Sequence, residues 1–314
     1  MRWARVVFVL ILVWFILTVS KEKMSGVINN SMPYSEAGLL SGIILGDKSG
    51  LGRDFQKMLI NSGLIHLVVV SGSNVMLLIG GVIESLASWV GRKWAIVLGL
   101  VMGWKYVMLV GWEVPVVRAM LLLSILYWAQ LLGRKYNLVR GLGLAITIMI
   151  IGEPMVIVSV SFWLSITAFL GIVTGKLGIR NYELGIRRNK LKKIFFEISL
   201  IFLQTVWVNV WITPILALVF GNISLISPLT NMLVLGLVGV VSVVGAVGII
   251  LGLWWLALGK AILWLTIPSL TYLRRVAEFG GQNSGVQVEF NWWMLVGYYL
   301  ILFYWLMKIE TQVK

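Results

Sequence analysis

Cysteine is absent from all 314 residues. That excludes a disulfide framework, a cysteine-ligated zinc site and an iron–sulfur cluster. Histidine occurs once, as His66, which excludes a multi-histidine metal centre. Acidic side chains are scarce: 12 Asp and Glu stand against 26 Lys and Arg, for a net charge of +14. No repeat of 20–50 residues and no low-complexity tail is visible, and no loop is long enough to build a soluble core. What is present is apolar. Sixty per cent of residues are hydrophobic and 12% are charged, with a mean hydropathy of +0.96. A soluble domain cannot hide so much apolar surface, so the chain reads as a polytopic membrane protein.

Ten apolar runs are long enough, or nearly so, to cross about 30 Å of hydrocarbon. They cover 3–19, 64–90, 94–111, 114–132, 138–152, 156–175, 196–220, 225–250, 254–273 and 291–307. The first follows Arg2 and Arg5 and reads as a retained helix, because no small-residue cleavage site precedes Lys21. Basic residues set the orientation. Arg92 and Lys93, then Arg134, Lys135 and Arg140, then the 176–195 loop with its seven Lys and Arg against Glu183, alternate with poorly basic loops. The expected fold is an all-α bundle of ten helices with both termini inside. Outer loops would include 274–290, where Arg274 and Arg275 balance Glu278 and Glu289. Between the first two runs, "EAGLLSGIILGDK" is too short to span. Residues 36–60 are expected as amphipathic or re-entrant helices at the outer face.

Small residues at four-residue spacing, Gly99/Gly103, Gly171/Gly175 and Gly248/Gly252, read as close helix packing. Strongly polar groups inside apolar runs cost more and point to a cavity or a partner. They are His66, Ser71, Asn74, Glu84, Lys105, Arg118, Gln130, Gln204, Asn209 and Asn231. Lys105 and Arg118 either snorkel to the interface or line a path for an anion. Ser161 and Ser165 share one helix face, as interhelical glue or facing water. Pro214 and Pro228, close to Asn209 and Asn231, suggest broken helices around a polar site, with simple kinks as the alternative.

The stretch "NSGLIHLVVVSGSNVMLLIGG" concentrates the problem. It is apolar enough for a membrane helix, yet carries His66, Ser71, Gly72 and Asn74. Gly72 between two serines predicts an interruption of the helix there. His66, Ser71 and Asn74 would then face a polar cavity, shared with Asn231 and the Pro228 bend. An intramembrane serine protease is disfavoured. His66 and Ser71 lie on one helix, no G-x-S-x-G occurs, and no acid is placed to orient the imidazole. No catalytic residue, metal or cofactor is expected.

Taken together, "EAGLLSGIILGDKSGLGRDFQKMLINSGLIHLVVVSGSNVMLL" resembles the signature of the ComEC competence proteins. Gly46-Asp47, Gly63, His66, Leu67, Ser71 and Gly72 match its motif by position. "VPVVRAMLLL", "EPMVIVSVSFWLSITAFLGI" and "ITPILALVFGNISLISPLTNMLV" are similar to three later blocks. Asn74 departs from the pattern, standing where the family has a second His. The resemblance implies a competence membrane domain over 36–275, preceded by a first helix and outer loop (1–35) and followed by an outer loop and last helix (276–314). It implies a bacterial inner-membrane channel passing single-stranded DNA inward during transformation. Gly46 and Asp47 would lie at the outer entrance, and the polar residues at depth would contact the strand. The family's OB-like and metallo-β-lactamase-like modules have no counterpart in these residues, so a nuclease role does not transfer. Expected partners are single-stranded DNA, membrane lipid and a separate nuclease, helicase or DNA receptor; a homodimer stays open. A small-solute or lipid transporter is the alternative function.

Overall fold

The computed structural model describes residues 19–179, 190–224, 226–283, 286–287 and 289–312. The first apolar run, Val19 excepted, and half of the basic 176–195 loop, residues 180–189, lie outside them, and the rest of that loop is helical. The described chain is helical apart from one two-residue antiparallel pairing, β1 (Asn222–Ile223) with β2 (Val286–Gln287). It forms two compact units, one of residues 1–56, 64–158 and 233–276, the other of 57–63, 159–232 and 277–314.

The first unit opens with α1 (Lys21–Ser31) and α2 (Tyr34–Leu45). The expectation of amphipathic or re-entrant helices over 36–60 divides here. Helix α2 is apolar on every side, and Glu36 to Leu45 are all buried. Only α3 (Arg53–Asn61) is amphipathic, with Leu59 alone buried. Gly46 stops α2 in the left-handed region, φ +68°, where a side chain would be strained. The chain then makes the four-residue α4 (Ile65–Val68), α5 (Gly72–Val90), α6 (Arg92–Val110), α7 (Val114–Leu131) and α8 (Leu138–Gly152).

Helices α5, α6 and α7 pack on one another. Their core is read from side chains three or four apart: Val75, Ile79 and Ile83 on α5; Ile96, Leu100 and Val107 on α6; Val116, Met120, Leu123 and Tyr127 on α7. Gly99 and Gly103 let α6 close on its neighbours, since a Cβ there would strike Ile83 and Met120. The other spaced pairs pack closely too. Gly248 and Gly252 meet Leu263, Val27 and Gly259, and Gly171 and Gly175 meet Val208 and Trp207.

The first unit also holds most of α11 (Ser227–Trp254), all of α12 (Leu256–Trp264) and α13 (Ile267–Asn283) as far as Val276. The expected single span 254–273 is two helices bent by 46°. The expected outer loop from 274 is largely helix: α13 carries Arg274, Arg275 and Glu278. The second unit contains α9 (Val160–Ile179), α10 (Lys190–Phe220) and α14 (Trp292–Gln312). Among the described residues four helices are long and apolar enough to cross a membrane, five if the bent pair is one span. They are Ile65–Val90, Arg92–Val110, Val114–Leu131 and Ser227–Trp254. Other apolar runs appear as shorter helices: α8, and the apolar parts of α9, α10 and α14. The chain is therefore a helical membrane protein.

Prolines mostly begin helices. Pro33 caps α2, Pro115 lies in the first turn of α7, and Pro154 opens a 3-10 turn. Pro228 and Pro268 are the second residues of α11 and α13. The expected break at Pro228 is thus a helix start. Pro214 sits inside the continuous α10, so no break occurs there either. Its missing N–H leaves the Val210 carbonyl without a helical donor. The Tyr298 hydroxyl donates to that carbonyl at 3.0 Å, and Tyr299 donates to the Trp211 carbonyl at 2.7 Å.

Candidate functional site

The interruption predicted at the serine–glycine knot is present. Helix α4 ends at Val68, Val69 is extended, and Ser71 is extended as the N-cap of α5. Its hydroxyl accepts from the Asn74 N–H at 3.3 Å and pairs with the Ser73 hydroxyl at 2.8 Å. Ser71 is thus occupied as a helix cap. The break lies at the end of a span rather than halfway along it. Nineteen residues of α5 rise about 28 Å, enough to cross the hydrocarbon without α4.

The start of α7 lies against the start of α5. A Cβ on Gly72 would stand 3.1 Å from the Pro115 carbonyl oxygen, 3.3 Å from Ala119 and 3.5 Å from an Arg118 guanidinium nitrogen. Gly72 thereby brings Arg118 beside the first turn of α5. Asn74, in that same turn, is 2% exposed, and its Nδ2 has no hydrogen-bond partner. Arg118 Nη1 and His66 Nε2 are likewise buried and unpartnered among the described residues. Gly46 joins the same end: a Cβ there would touch Val110 at the end of α6 and Val70 in the break. Asp47 follows it, and the Ser49 N–H donates to its carboxylate at 2.9 Å, holding it below the usual carboxylate range. Gly42 of α2 faces the Val68 carbonyl. His66, Ser71, Asn74, Arg118, Gly46 and Asp47 therefore all belong to the first unit, where these contacts build the α5 break and its surroundings.

The other candidates make different contacts. Lys105 lines an apolar groove of about 450 Å³ between α6 and α7, with Val97, Val101, Trp104, Met108 and Trp128. That groove contains none of the other candidates. Asn209 and Asn231 belong to the second unit. Asn209 donates to the Thr205 carbonyl at 2.9 Å and accepts from Ser227 at 3.1 Å, and Asn231 donates to Ser227 at 3.2 Å. Thr230 adds a bond to the Ser62 carbonyl at 2.7 Å. One of the asparagine bonds, from Ser227 to Asn209, joins α11 to α10, the others lie within one helix, and Asn231 Oδ1 is left over. Ser161 is half-buried and Ser165 buried on α9.

Sequence reading missed three contributors. Ser227 bridges the two asparagines; a serine before proline at a helix start was its only signal. Arg92 donates to Glu84 at 2.7 Å and to Gln130 at 2.9 Å, tying the far ends of α5, α6 and α7. Tyr106 donates to the Ile44 carbonyl, holding α2 to α6.

Recombination protein 2 of Haemophilus influenzae is 25% identical over 152 residues, covering 46% of this chain and 19% of that protein. The uncharacterized protein YcaI of Escherichia coli (strain K12) is 24% identical over 220 residues, covering 67% of this chain and 28% of that protein. The chain thus spans under a third of the length of either relative. No solved structure matches it. The Competence protein family matches residues 43–312, six-sevenths of the molecule, and the chain belongs to that family.

Proposed function

We propose that this protein is a conduit for the inward passage of single-stranded DNA across a bacterial inner membrane during transformation. The observation that carries the reading is the end of the α5–α6–α7 group. Three buried, unpartnered polar atoms, Nδ2 of the buried Asn74 and Nε2 and Nη1 of the half-buried His66 and Arg118, occur there in an otherwise apolar member of the competence family. Unmet polar groups cost several kcal/mol each in hydrocarbon, roughly 2–7 by transfer scales, so they call for water or a polar substrate. A translocating polyanion needs cationic and polar surface rather than bond chemistry, and no catalytic role is assigned to any residue.

In this reading the chain crosses the membrane ten times with both termini inside. The Arg92 end of α6 is cytoplasmic by its charge, and the α5 break with Gly46 and Asp47 faces outward as the entrance. A soluble nuclease, helicase or DNA receptor acts as a separate partner. The absence of native cysteine makes labelling clean. Ser49 and Lys135 are both exposed; Ser49→Cys should react with an impermeant thiol reagent in intact spheroplasts, and Lys135→Cys only after permeabilisation. The reverse pattern would invert the topology. Function itself is tested in a deletion strain. Transformation should be lost and restored by the plasmid-borne chain, and bilayer conductance of the purified protein should be blocked by single-stranded oligonucleotide.

The second reading, a small-solute or lipid transporter, draws on the groove beside Lys105. Its apolar walls and single amine suit an acyl chain with an anionic headgroup. Conductance insensitive to oligonucleotide, together with lipid flip-flop in vesicles, would favour it.

A further inference from the structure

We propose that the first turn of α5 is a seat for one phosphate oxyanion, built from the free N–H groups of Gly72 and Ser73, the Asn74 amide and the Arg118 guanidinium. The chemistry recognised is a phosphodiester or phosphate group, read without regard to base. The identification of its source as a DNA strand rests on the function proposed above.

Four observations converge. First, the opening N–H groups of a helix have no intrahelical acceptor. Ser71 satisfies that of Asn74 through both its hydroxyl and its carbonyl, which leaves Gly72 and Ser73. Second, a nineteen-residue helix concentrates about half a positive charge at this terminus. Third, the Arg118 guanidinium lies beside Gly72 with Nη1 buried and unpartnered. A full positive charge placed against a positive helix end is repelled unless an anion lies between them. No carboxylate among the described residues pairs with it. Fourth, Asn74 is 2% exposed with Nδ2 unpartnered. Helical side chains lean toward the N-terminus, so this donor points back to the same turn. Every unmet group here is a donor. Gly72 keeps the turn open, since a Cβ would crowd the Pro115 carbonyl at 3.1 Å.

The geometry resembles the general use of helix N-termini for phosphate, with a fork-shaped guanidinium added. One seat of this kind would hold a strand by its backbone at one point and release it for the next phosphate, which suits sequence-blind passage.

The test uses the purified full chain in phosphatidylcholine nanodiscs, titrated with fluorescein-labelled oligodeoxythymidylate over a series of salt concentrations. Arg118→Gln is expected to weaken binding about tenfold, the loss of one charge-assisted hydrogen bond. The slope of log K against log salt should shrink by about 0.7, one phosphate on a single strand. Asn74→Asp provides the decisive second variant. It places a carboxylate where the phosphate would sit, so it should abolish the salt-dependent share of binding while leaving the unfolding midpoint unchanged or raised. Burying that carboxylate in a site that does not attract anions would lower the midpoint, and that result overturns the seat.

The remaining arms separate the sources. Unchanged oligonucleotide affinity and slope in both variants removes the seat and leaves the DNA conduit standing. If wild type binds no oligonucleotide, but retains phosphatidylglycerol in native mass spectra and loses it in both variants, the seat stands with lipid as its source and the DNA conduit falls. Inorganic phosphate raising the wild-type midpoint, and not that of Arg118→Gln, assigns it to the free ion. Binding of none of the three probes overturns the proposal.

Discussion

Arg92 and Arg118 lie at opposite ends of the same three helices and are treated differently. At one end, Arg92 starts α6 and reaches Glu84 on α5 and Gln130 on α7, with its guanidinium over the Tyr127 ring at 5.6 Å. All of its visible partners come from within the protein, and the clasp is well exposed to solvent. At the other end, Arg118 is more enclosed and has Nη1 without a partner. The ordinary economy of burial would assign the acid to the enclosed arginine and leave the exposed one to water. The reverse arrangement is what the proposed seat requires: the Arg92 end is finished by the chain's own side chains, while among the described residues Arg118 Nη1 is left without a partner.

The largest effect that would sharpen this contrast is functional. Arg118→Gln should lower transformation about tenfold or more per unit of membrane-inserted protein, on the scale of one charge-assisted bond. Arg92→Gln should stay within about twofold, as expected for an exposed pair. Equal losses in the two strains would break the comparison. An intermediate effect comes from a third polar group met at depth, the Val210 carbonyl freed by Pro214. Tyr298→Phe removes its donor and should destabilise by about 1–3 kcal/mol, seen as a lowered unfolding midpoint with oligonucleotide affinity unchanged. A loss of affinity without a change in midpoint would move Tyr298 from architecture to substrate contact. The smallest effect belongs to Glu84→Gln. Its bond to Arg92 is exposed at both partners, so the cost should be below about 1 kcal/mol, a midpoint shift of about 2–4 °C at most. A larger drop would mean that the clasp governs the packing of all three helices.

Much of this was legible in the residues. Gly72 between Ser71 and Ser73 announced the helix interruption, because serine caps and glycine permits the turn. The spaced glycines announced close helix contacts for the same steric reason. Hydropathy alone misplaced other features. A uniformly apolar α2 could be assigned to a surface or to an interior only by its neighbours. Arg274, Arg275 and Glu278 read as a loop because polarity and helix propensity are separate properties. Pro214 suggested a broken helix because its rescuing donor, Tyr298, lies far along the chain and leaves no local signal.

Helix α2 sets a timetable for assembly. It is twelve residues long, about 18 Å, and cannot hold itself across a bilayer as it leaves the ribosome. Its walls come from later synthesis: the Val68 carbonyl against Gly42, Tyr106 bonded to Ile44, and finally Gly245 of α11 against Leu40 and Ile44. Contacts this distant in sequence form late. A translation arrest placed before α11 should therefore leave α2 open to protease, and one placed after it should leave α2 protected, so that this part of the first unit closes only when most of the chain has been made.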